Sequence, residues 1–475
     1  MDSIKMTTEE ALPEGWTKTT LGEISIVKMG QSPNGKSYNK EKEGYLLIGG
    51  ASDLGDIYPS PKQYTNEATK LSKTNDIIIC IRATIGRLNL SDKVYCLGRG
   101  VAGIEVNANV EAKFIWYSLM NSKAYLLKNS TGTTFQQVSS PTLKKLPIVY
   151  PTSKETQQAI VNKIESLFAE IDAGICSLKT AAQQIQQYRQ SLLKNAFNGE
   201  LTKEWRSKHA ETLPSENELL AQIQTTREQH HAQQLADWQT AVSQWEQNGK
   251  EGKKPSKPKA PTQAVKFEEN FADLPKGWLE SSLGDTTDVF VGSTPSRKNN
   301  EYWDGDISWV SSGEVNFSNI FETKEKITNL GLSNSSTNIH PIGTVMLAMI
   351  GEGKTRGQAG ILKIEACHNQ NTAAIRVNKK YLLSEYLYYF FMFNYEQTRR
   401  IGSGNNQKAL NKTIIENMSF PICSLTEQTQ IVAILETKLT ACDQLADELA
   451  KQLKQAELLK QAVLKAAFSG SLLDK

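Results

Sequence analysis

Cysteine is scarce in this 475-residue sequence, with six residues at Cys80, Cys96, Cys176, Cys367, Cys423 and Cys442. None stands in a CxxC pair or a Cys/His ligand spacing, which argues against a structural zinc site. So few thiols in so long a chain also argue against a disulfide framework. Long apolar runs are missing. VMLAMI at 345–350 is among the longest, far short of the ~20 residues a membrane span needs. The start, MDSIKMTTEEALPEGW, has no apolar core of a signal peptide, so the expected location is the cytoplasm. Charge of one sign is missing too. Lys+Arg number 54 against 51 Asp+Glu, a net charge of +3. A protein that grips nucleic acid unaided usually carries a strong basic excess. Residues 1–150 hold 18 basic and 14 acidic side chains, and 265–420 hold 16 and 17. Neither half is basic enough to name such a partner.

Catalytic signatures are also absent. AMIGEGKT at 348–355 ends like a P-loop but has Ala348 where the first glycine belongs, and loop and strand residues follow instead of a helix. His230-His231 lies in a Gln-rich helical stretch without further ligands. No GxSxG elbow and no Asn-Pro-Pro-aromatic tetrad of a DNA methyltransferase occurs. No metal site and no cofactor site is expected on this chain.

What the sequence does contain is itself, twice. LPEGWTKTTLGE at 12–23 returns as LPKGWLESSLGD at 274–285. Gly30 pairs with Gly292 at the same offset. Further on the offset grows by about nine, so that Cys96 matches Cys367, and part of the gain falls in GEGKTRGQAG at 351–360. QQAIV at 157–161 matches QTQIV at 428–432, and LLKNAFNGEL at 192–201 matches VLKAAFSGSL at 463–472. A period near half the chain is a domain duplication, not a solenoid.

Each copy opens with short apolar runs bounded by turn residues, such as YLLIGG (45–50), DIIICI (76–81) and TVMLAM (344–349), which read as strands. A short aromatic helix follows at FIWYSLM (114–120) and EYLYYFF (385–391). A long helix closes each copy. Its seam runs through Ile164, Ile171, Leu178, Ile185, Tyr188 and Leu192 in the first, and through Leu435, Leu445, Leu449, Leu459 and Val463 in the second. On this register Lys438 and Gln452 weaken the second seam. Gly199 and Gly470 stand where helix C-caps belong. The expected fold class is α+β: two β-rich domains in tandem duplication, joined and separated by two long helices that form an antiparallel coiled coil with pseudo-two-fold symmetry. The expected division is 1–150, a first spacer helix 151–204, an unduplicated stretch 205–264, a second domain 265–422 and a second spacer helix 423–475. The stretch without counterpart reads as a polar helix at 215–247 and then a Lys/Pro-rich tether.

These motifs, duplicated in this order, resemble the specificity subunit of type I restriction–modification enzymes. The resemblance rests on LPEGW…LGE with LPKGW…LGD, on GTTFQQVSSPTLKKLPIVYP (132–151) and GNNQKALNKTIIENMSFP (404–421), and on the two helix closings. It implies two target-recognition domains, each reading one half of a bipartite, asymmetric DNA sequence. It implies a helical spacer that docks two methyltransferase subunits, and recruitment of restriction–translocase subunits. S-adenosylmethionine, ATP and Mg²⁺ then belong to those partners, and this chain is not itself an enzyme. Base readout needs Arg for guanine and Asn or Gln for adenine. The candidate DNA-binding residues are Gln31, Lys36, Arg82, Arg87, Arg99 and Gln136 in the first half. In the second they are Arg297, Lys298, Lys354, Arg356, Asn405, Asn406 and Gln407. Gln136 and Gln407 occupy matched positions.

Overall fold

A computed structural model of the chain describes residues 12–132, 136–250, 254–258, 260, 271, 273–351, 353–401 and 409–473. Its main elements begin with β1 (Trp16–Thr20), β2 (Ser25–Met29), β3 (Tyr45–Ile48), β4 (Ile77–Cys80), β5 (Leu88–Leu90), β6 (Cys96–Leu97) and β7 (Val101–Val106). The helix α1 (Ala112–Asn121), β8 (Pro147–Pro151) and the long α2 (Lys154–Phe197) complete the first copy. Then come α3 (Glu216–Gln247), β9 (Leu279–Ser282), β10 (Thr287–Val291), β11 (Trp303–Val310), β12 (Val345–Ala348), β13 (Ala359–Leu362), β14 (Cys367–His368) and β15 (Thr372–Val377). The second copy closes with α4 (Ser384–Phe393), β16 (Ser419–Ile422) and the long α5 (Leu425–Ser469). The class is α+β. The chain divides into two compact units, Met1–Ala181 with Glu448–Lys475, and Ala182–Asp447. Each long helix begins in one unit and ends in the other.

In the first unit the main sheet has the order β2-β7-β4-β5, all antiparallel. β4 reads Ile-Ile-Ile-Cys and is buried throughout, as β-branched residues on a two-sided strand should be. β1 and β8 form a separate antiparallel ribbon. β3 and β6 pair in parallel. The core under the main sheet takes Phe114, Ile115 and Leu119 from α1, Ile160, Val161 and Ile164 from α2, and Val463, Leu464 and Ala467 from α5. Here the long helices run antiparallel: Ile160 and Ala467 line one cavity, while Asp172 pairs with Lys460 at 2.5 Å.

The second unit repeats the plan. Its main sheet runs β10-β15-β12-β13 and gains the strand Ser318–Ile320 at its edge. β9 and β16 form the ribbon, and β11 and β14 pair in parallel. Phe197 packs between Tyr386, Phe390 and Phe393 at centroid distances of 5.2–5.6 Å. The helices again run antiparallel, with Thr202 bonded to Glu427 and Arg189 paired with Asp443. The reason for the duplicated Gln at each long helix start is now visible. Gln157 accepts from the Glu111 N–H (2.7 Å) and donates to Pro151 (2.8 Å), while Gln428 accepts from the Leu383 N–H (3.0 Å) and donates to Cys423 (2.8 Å). Both are fully buried, and each ties its helix to the strand and loop beside it. At the other ends, Gly199 (φ 80°) and Gly470 (φ 85°) sit in the left-handed region that terminates a helix.

The unduplicated stretch belongs to the second unit. Leu219 and Ile223 of α3 enter its core. The described Lys/Pro residues fold back on α3 and do not hang free. The Trp238 indole N–H donates to the Pro255 carbonyl at 3.0 Å, and Lys257 and Lys254 lie over Trp238 and Trp245 at 5.8 and 5.9 Å.

One register differs from expectation. Leu445 and Leu459 are 56% and 52% exposed, so they are not seam residues. From 435 to 463 the less exposed residues of α5 are Leu435, Leu439, Cys442, Ala446, Leu449, Leu453, Ala456, Lys460 and Val463. They alternate by four and three, an unbroken heptad. Lys438 and Gln452 fall off that seam, and both are exposed. Each misplaced leucine has a seam residue as its immediate neighbour, which is why a hydrophobic count chose it. In α2, Ile164 and Leu192 are buried, and Ile171, Leu178 and Ile185 are half-buried. Tyr188 is 47% exposed, and Arg189 takes the seam position beside it.

Candidate nucleic-acid interface

Strand pairing brings the sequence candidates of the first unit to one edge of its main sheet. Met29 pairs with Ala102 and Cys80 with Val101. The loops that follow β2 and β4 and the loop that precedes β7 therefore emerge together. Gln31, Arg82 and Arg99 sit on these three loops and are exposed. The backbone holds them tightly. The Gln31 N–H donates to Leu97 (2.8 Å), and the Gly98 N–H to Ile48 (2.8 Å). The Arg99 N–H donates to Ser32 Oγ at 3.4 Å. Gln136 is exposed and precedes Gln137, whose backbone bridges to Arg82. Lys36 is exposed in a short turn capped by Asn34. Arg87 is different. Its guanidinium donates to the carbonyls of Ala51 (3.2 Å) and Leu54 (2.7 Å). It ties down the 51–55 turn instead of presenting a fork to a base.

The second unit builds the same edge, since Val291 pairs with Ala373 and Ala348 with Thr372. The Ser293 N–H donates to His368 (3.1 Å) and the Asn369 N–H to Val310 (3.0 Å), matching the bonds at Gln31 and Gly98. Lys298 and Lys354 are exposed. Two expected readers are occupied elsewhere. Arg297 forms a two-point pair with Glu325 (Nη2 to Oε2, 2.9 Å) and stacks over Trp303 at 3.8 Å. Arg356 is only 7% exposed and donates to the Arg399 carbonyl at 2.6 Å. It braces the turn at 353–357 from inside, and that turn leads into β13, not a helix. Asn405, Asn406 and Gln407 lie outside the described residues.

Gln370 was missed in the sequence. In the register that matches Cys96 with Cys367 it stands opposite Arg99. It is exposed, and its Oε1 accepts from Thr294 Oγ1 at 2.5 Å. Thr294 stands where the first copy has Ser32, the partner of Arg99.

Behind Gln370 lies a buried polar chain. Arg376, held over Phe290 at 4.7 Å, donates from Nε to His340 Nδ1 at 3.0 Å. His340 Nε2 meets His368 Nε2 at 3.2 Å, and His368 Nδ1 faces Thr372 Oγ1 at 2.9 Å and the Asn369 carbonyl at 3.1 Å. Arginine cannot accept, so His340 Nδ1 is the acceptor and its proton sits on Nε2. That proton is donated to His368, whose own proton then lies on Nδ1 toward the loop. Burial, His368 and Arg376 push His340 down to about 3. Burial, opposed by the Asn369 and Thr372 bonds and aided by Arg376, pushes His368 down to about 4.

The loop frame depends on close backbone approach. A Cβ on Gly292 would lie 2.1 Å from the His368 carbonyl oxygen and 2.7 Å from that of Asn369. Both atoms are backbone, so neither yields cheaply. Gly292→Ala is expected to cost about 1–3 kcal/mol through overpacking. Urea denaturation measures this, and an unchanged midpoint would show that the two loops are not held in contact.

Two copies of one sheet domain, each presenting loops at the same edge and each continuing into a long helix, define a tandem recognition architecture. The chain belongs to the type I restriction modification DNA specificity domain family, whose model matches residues 13–177 and 275–455. It is 33% identical over 193 residues to a putative type I restriction enzyme MjaX specificity subunit of Methanocaldococcus jannaschii, covering 40% of this chain and 44% of that one. It is 25% identical over 242 residues to the type I restriction enzyme EcoBI specificity subunit of Escherichia coli, covering 46% and 49%. The chain thus spans about half the length of these curated relatives. In fold it is similar to a chain solved to explain complex assembly and conformational transition of the type I R-M system, with a TM-score of 0.68, 17% identity and 98% and 100% of the two chains covered. It is also similar to the HsdS subunit of Thermoanaerobacter tengcongensis, with a TM-score of 0.55, 17% identity and 97% and 98% covered. Among the described residues no helix is long and apolar enough to cross a membrane. No group of three or more potential metal ligands occurs among them.

Proposed function

We propose that this chain is the sequence-specific DNA-recognition subunit of a type I restriction–modification enzyme. Each unit reads one half of a bipartite, asymmetric target. The observation that carries the reading is the loop frame: the backbone bonds at Gln31 and Gly98 recur at Ser293 and Asn369, while the side chains at the loop tips differ. A common frame with different tips suits two different half-sequences.

The chain performs no chemistry in this reading. It scaffolds two methyltransferase subunits and restriction–translocase subunits in the cytoplasm, and S-adenosylmethionine, ATP and Mg²⁺ act on those partners. Exposed apolar side chains on the long helices support docking. Tyr188 and Leu445 stand out in the second unit, and Leu458 and Leu459 in the first. The small net charge of +3 fits a subunit that leaves most phosphate contacts to its partners, since phosphate contacts position while base contacts specify.

Co-expression with a methyltransferase subunit tests the reading. Mapping of methylated bases is expected to give one split, asymmetric motif, and no motif would refute it. The helices set the gap in that motif. Inserting four helical residues near the middle of α2 adds about 6 Å, equivalent to roughly one or two base pairs at ~3.4 Å each. The gap should grow by that amount with both half-sequences intact, and an unchanged gap would end the ruler model.

A further inference from the structure

Subtraction narrows the reader set. Arg87, Arg297 and Arg356 spend their guanidinium groups on carbonyls or on Glu325. Among the exposed residues that remain, one position recurs in both units with two different base-reading side chains. Arg99 follows Gly98 on the loop before β7, and Gln370 follows Asn369 on the loop before β15. Both loops are built by the same bonds. The residue before each tip donates its N–H to the end of the parallel strand, Ile48 or Val310. The neighbouring loop supplies a hydroxyl to each tip, Ser32 Oγ to the Arg99 N–H and Thr294 Oγ1 to the Gln370 amide oxygen. Gly30 and Gly292 allow the two loops to touch, since a Cβ at either would lie 2.1 Å from a carbonyl of the tip loop.

The two tips differ in chemistry, not in place. Among the described residues the Arg99 guanidinium makes no hydrogen bond or ion pair, only its backbone N–H being bonded, so its paired N–H donors are available for two acceptors on one base edge. Guanine presents that pair in the major groove at O6 and N7. In Gln370 the amide oxygen accepts from the Thr294 hydroxyl. Its NH₂ group remains as a donor on this exposed side chain, and the oxygen keeps a second lone pair. A donor beside an acceptor matches adenine N7 and N6. The loop backbones are fixed in advance by these bonds, so little ordering entropy remains to be lost on contact.

We propose that Arg99 and Gln370 are the equivalent base readers of the two repeats, Arg99 contacting a guanine in one half-target and Gln370 an adenine in the other. This rests on the reading of the chain as a DNA specificity subunit, and it adds which side chains discriminate and between which bases.

The test uses the assembled methyltransferase, with the wild-type chain and the variants Arg99→Ala, Arg99→Lys and Gln370→Ala, read by single-molecule sequencing of methylated host DNA. A split motif from the wild type is the precondition; its absence defeats the functional reading itself. Given that motif, Arg99→Ala and Arg99→Lys should each relax one G·C position in one half by about tenfold or more. Gln370→Ala should relax one A·T position in the other half only. Lysine keeps the charge but not the fork. A lysine variant that methylates the wild-type motif while the alanine variant methylates nothing would make Arg99 a phosphate contact and overturn the proposal. An unaltered motif in all three variants would overturn it equally.

Discussion

Replacing Arg206 with alanine is expected to cost the second unit about 3–5 kcal/mol, as breaking one side of a buried ion pair does. Glu427 is 2% exposed, at the start of the second long helix. It accepts from Arg206 Nε (2.9 Å), Thr202 Oγ1 (2.7 Å) and the Trp278 indole N–H (2.9 Å). Arg206 also lies over the Trp278 ring at 5.6 Å and donates to the Gly199 carbonyl. Without the guanidinium a carboxylate stays buried against two neutral donors. The stated cost is that of the stranded charge, not the net worth of the pair. The double variant Arg206→Met with Glu427→Gln should therefore recover most of the loss, since glutamine keeps an acceptor for Trp278 and Thr202 without a charge. Guanidinium denaturation of the three proteins reads both effects. A single variant that unfolds with the wild type, or a double variant no better than the single, would remove the ion pair from this account.

The second unit should also fail in mild acid while the first resists. His340 and His368 are fully buried and held at about 3 and about 4. Their value in an unfolded chain is near 6.5. Below that value the unfolded state binds protons that the folded state refuses, so stability is present at neutral pH and drains away as pH falls from about 6.5 toward 4. Between pH 7 and 5 two such groups contribute a loss of roughly 4 kcal/mol. The charged neighbour is Arg376, with Asp288 acting on it, and Arg376 disfavours a second positive charge further. No histidine occurs in 1–181 or 448–475. In the first copy the place of His368 is held by Leu97. Buried Asp76, raised by burial, works in the opposite direction there. Hydrogen exchange at pH 7 and 5, corrected for intrinsic rates, resolves the units by peptide. Equal loss of protection in peptides from 77–106 and 345–377 would contradict the assignment.

Much of the fold was readable from residues alone because duplication supplies its own control. Every frame feature appeared twice, from Gly30 and Gly292 to Gln157 and Gln428, and a coincidence rarely repeats at one offset. The second helix seam slipped by one residue at two positions because Leu445 and Leu459 are more hydrophobic than their neighbours Ala446 and Lys460. Hydrophobicity picked the leucine, while the three-four alternation fixes the seam. The fates of Arg87, Arg297 and Arg356 were unreadable in principle. An arginine that braces a turn and one that meets a base look alike until their neighbours in space are known. One position before Gln157 and Gln428 the copies part, Thr156 standing where the second has Glu427. Residues alone do not say why, because Arg206, which pairs with that carboxylate, lies beyond the duplicated unit and has no counterpart to point to it.

The division of each long helix between the units imposes an order of assembly. Residues 1–181 leave the ribosome first, yet their core takes Val463, Leu464 and Ala467 from the far end of the chain. At about 5–20 residues per second, the intervening 182–447 occupy roughly 15–50 s of synthesis. Throughout that interval Phe114, Ile160 and Ile164 face an unfilled place in the core. The second unit has no such delay, since its share of both helices is encoded within it. The repeat made first is therefore the one completed last, and the N-terminal half must keep its apolar surface from wrong partners until its last helix arrives.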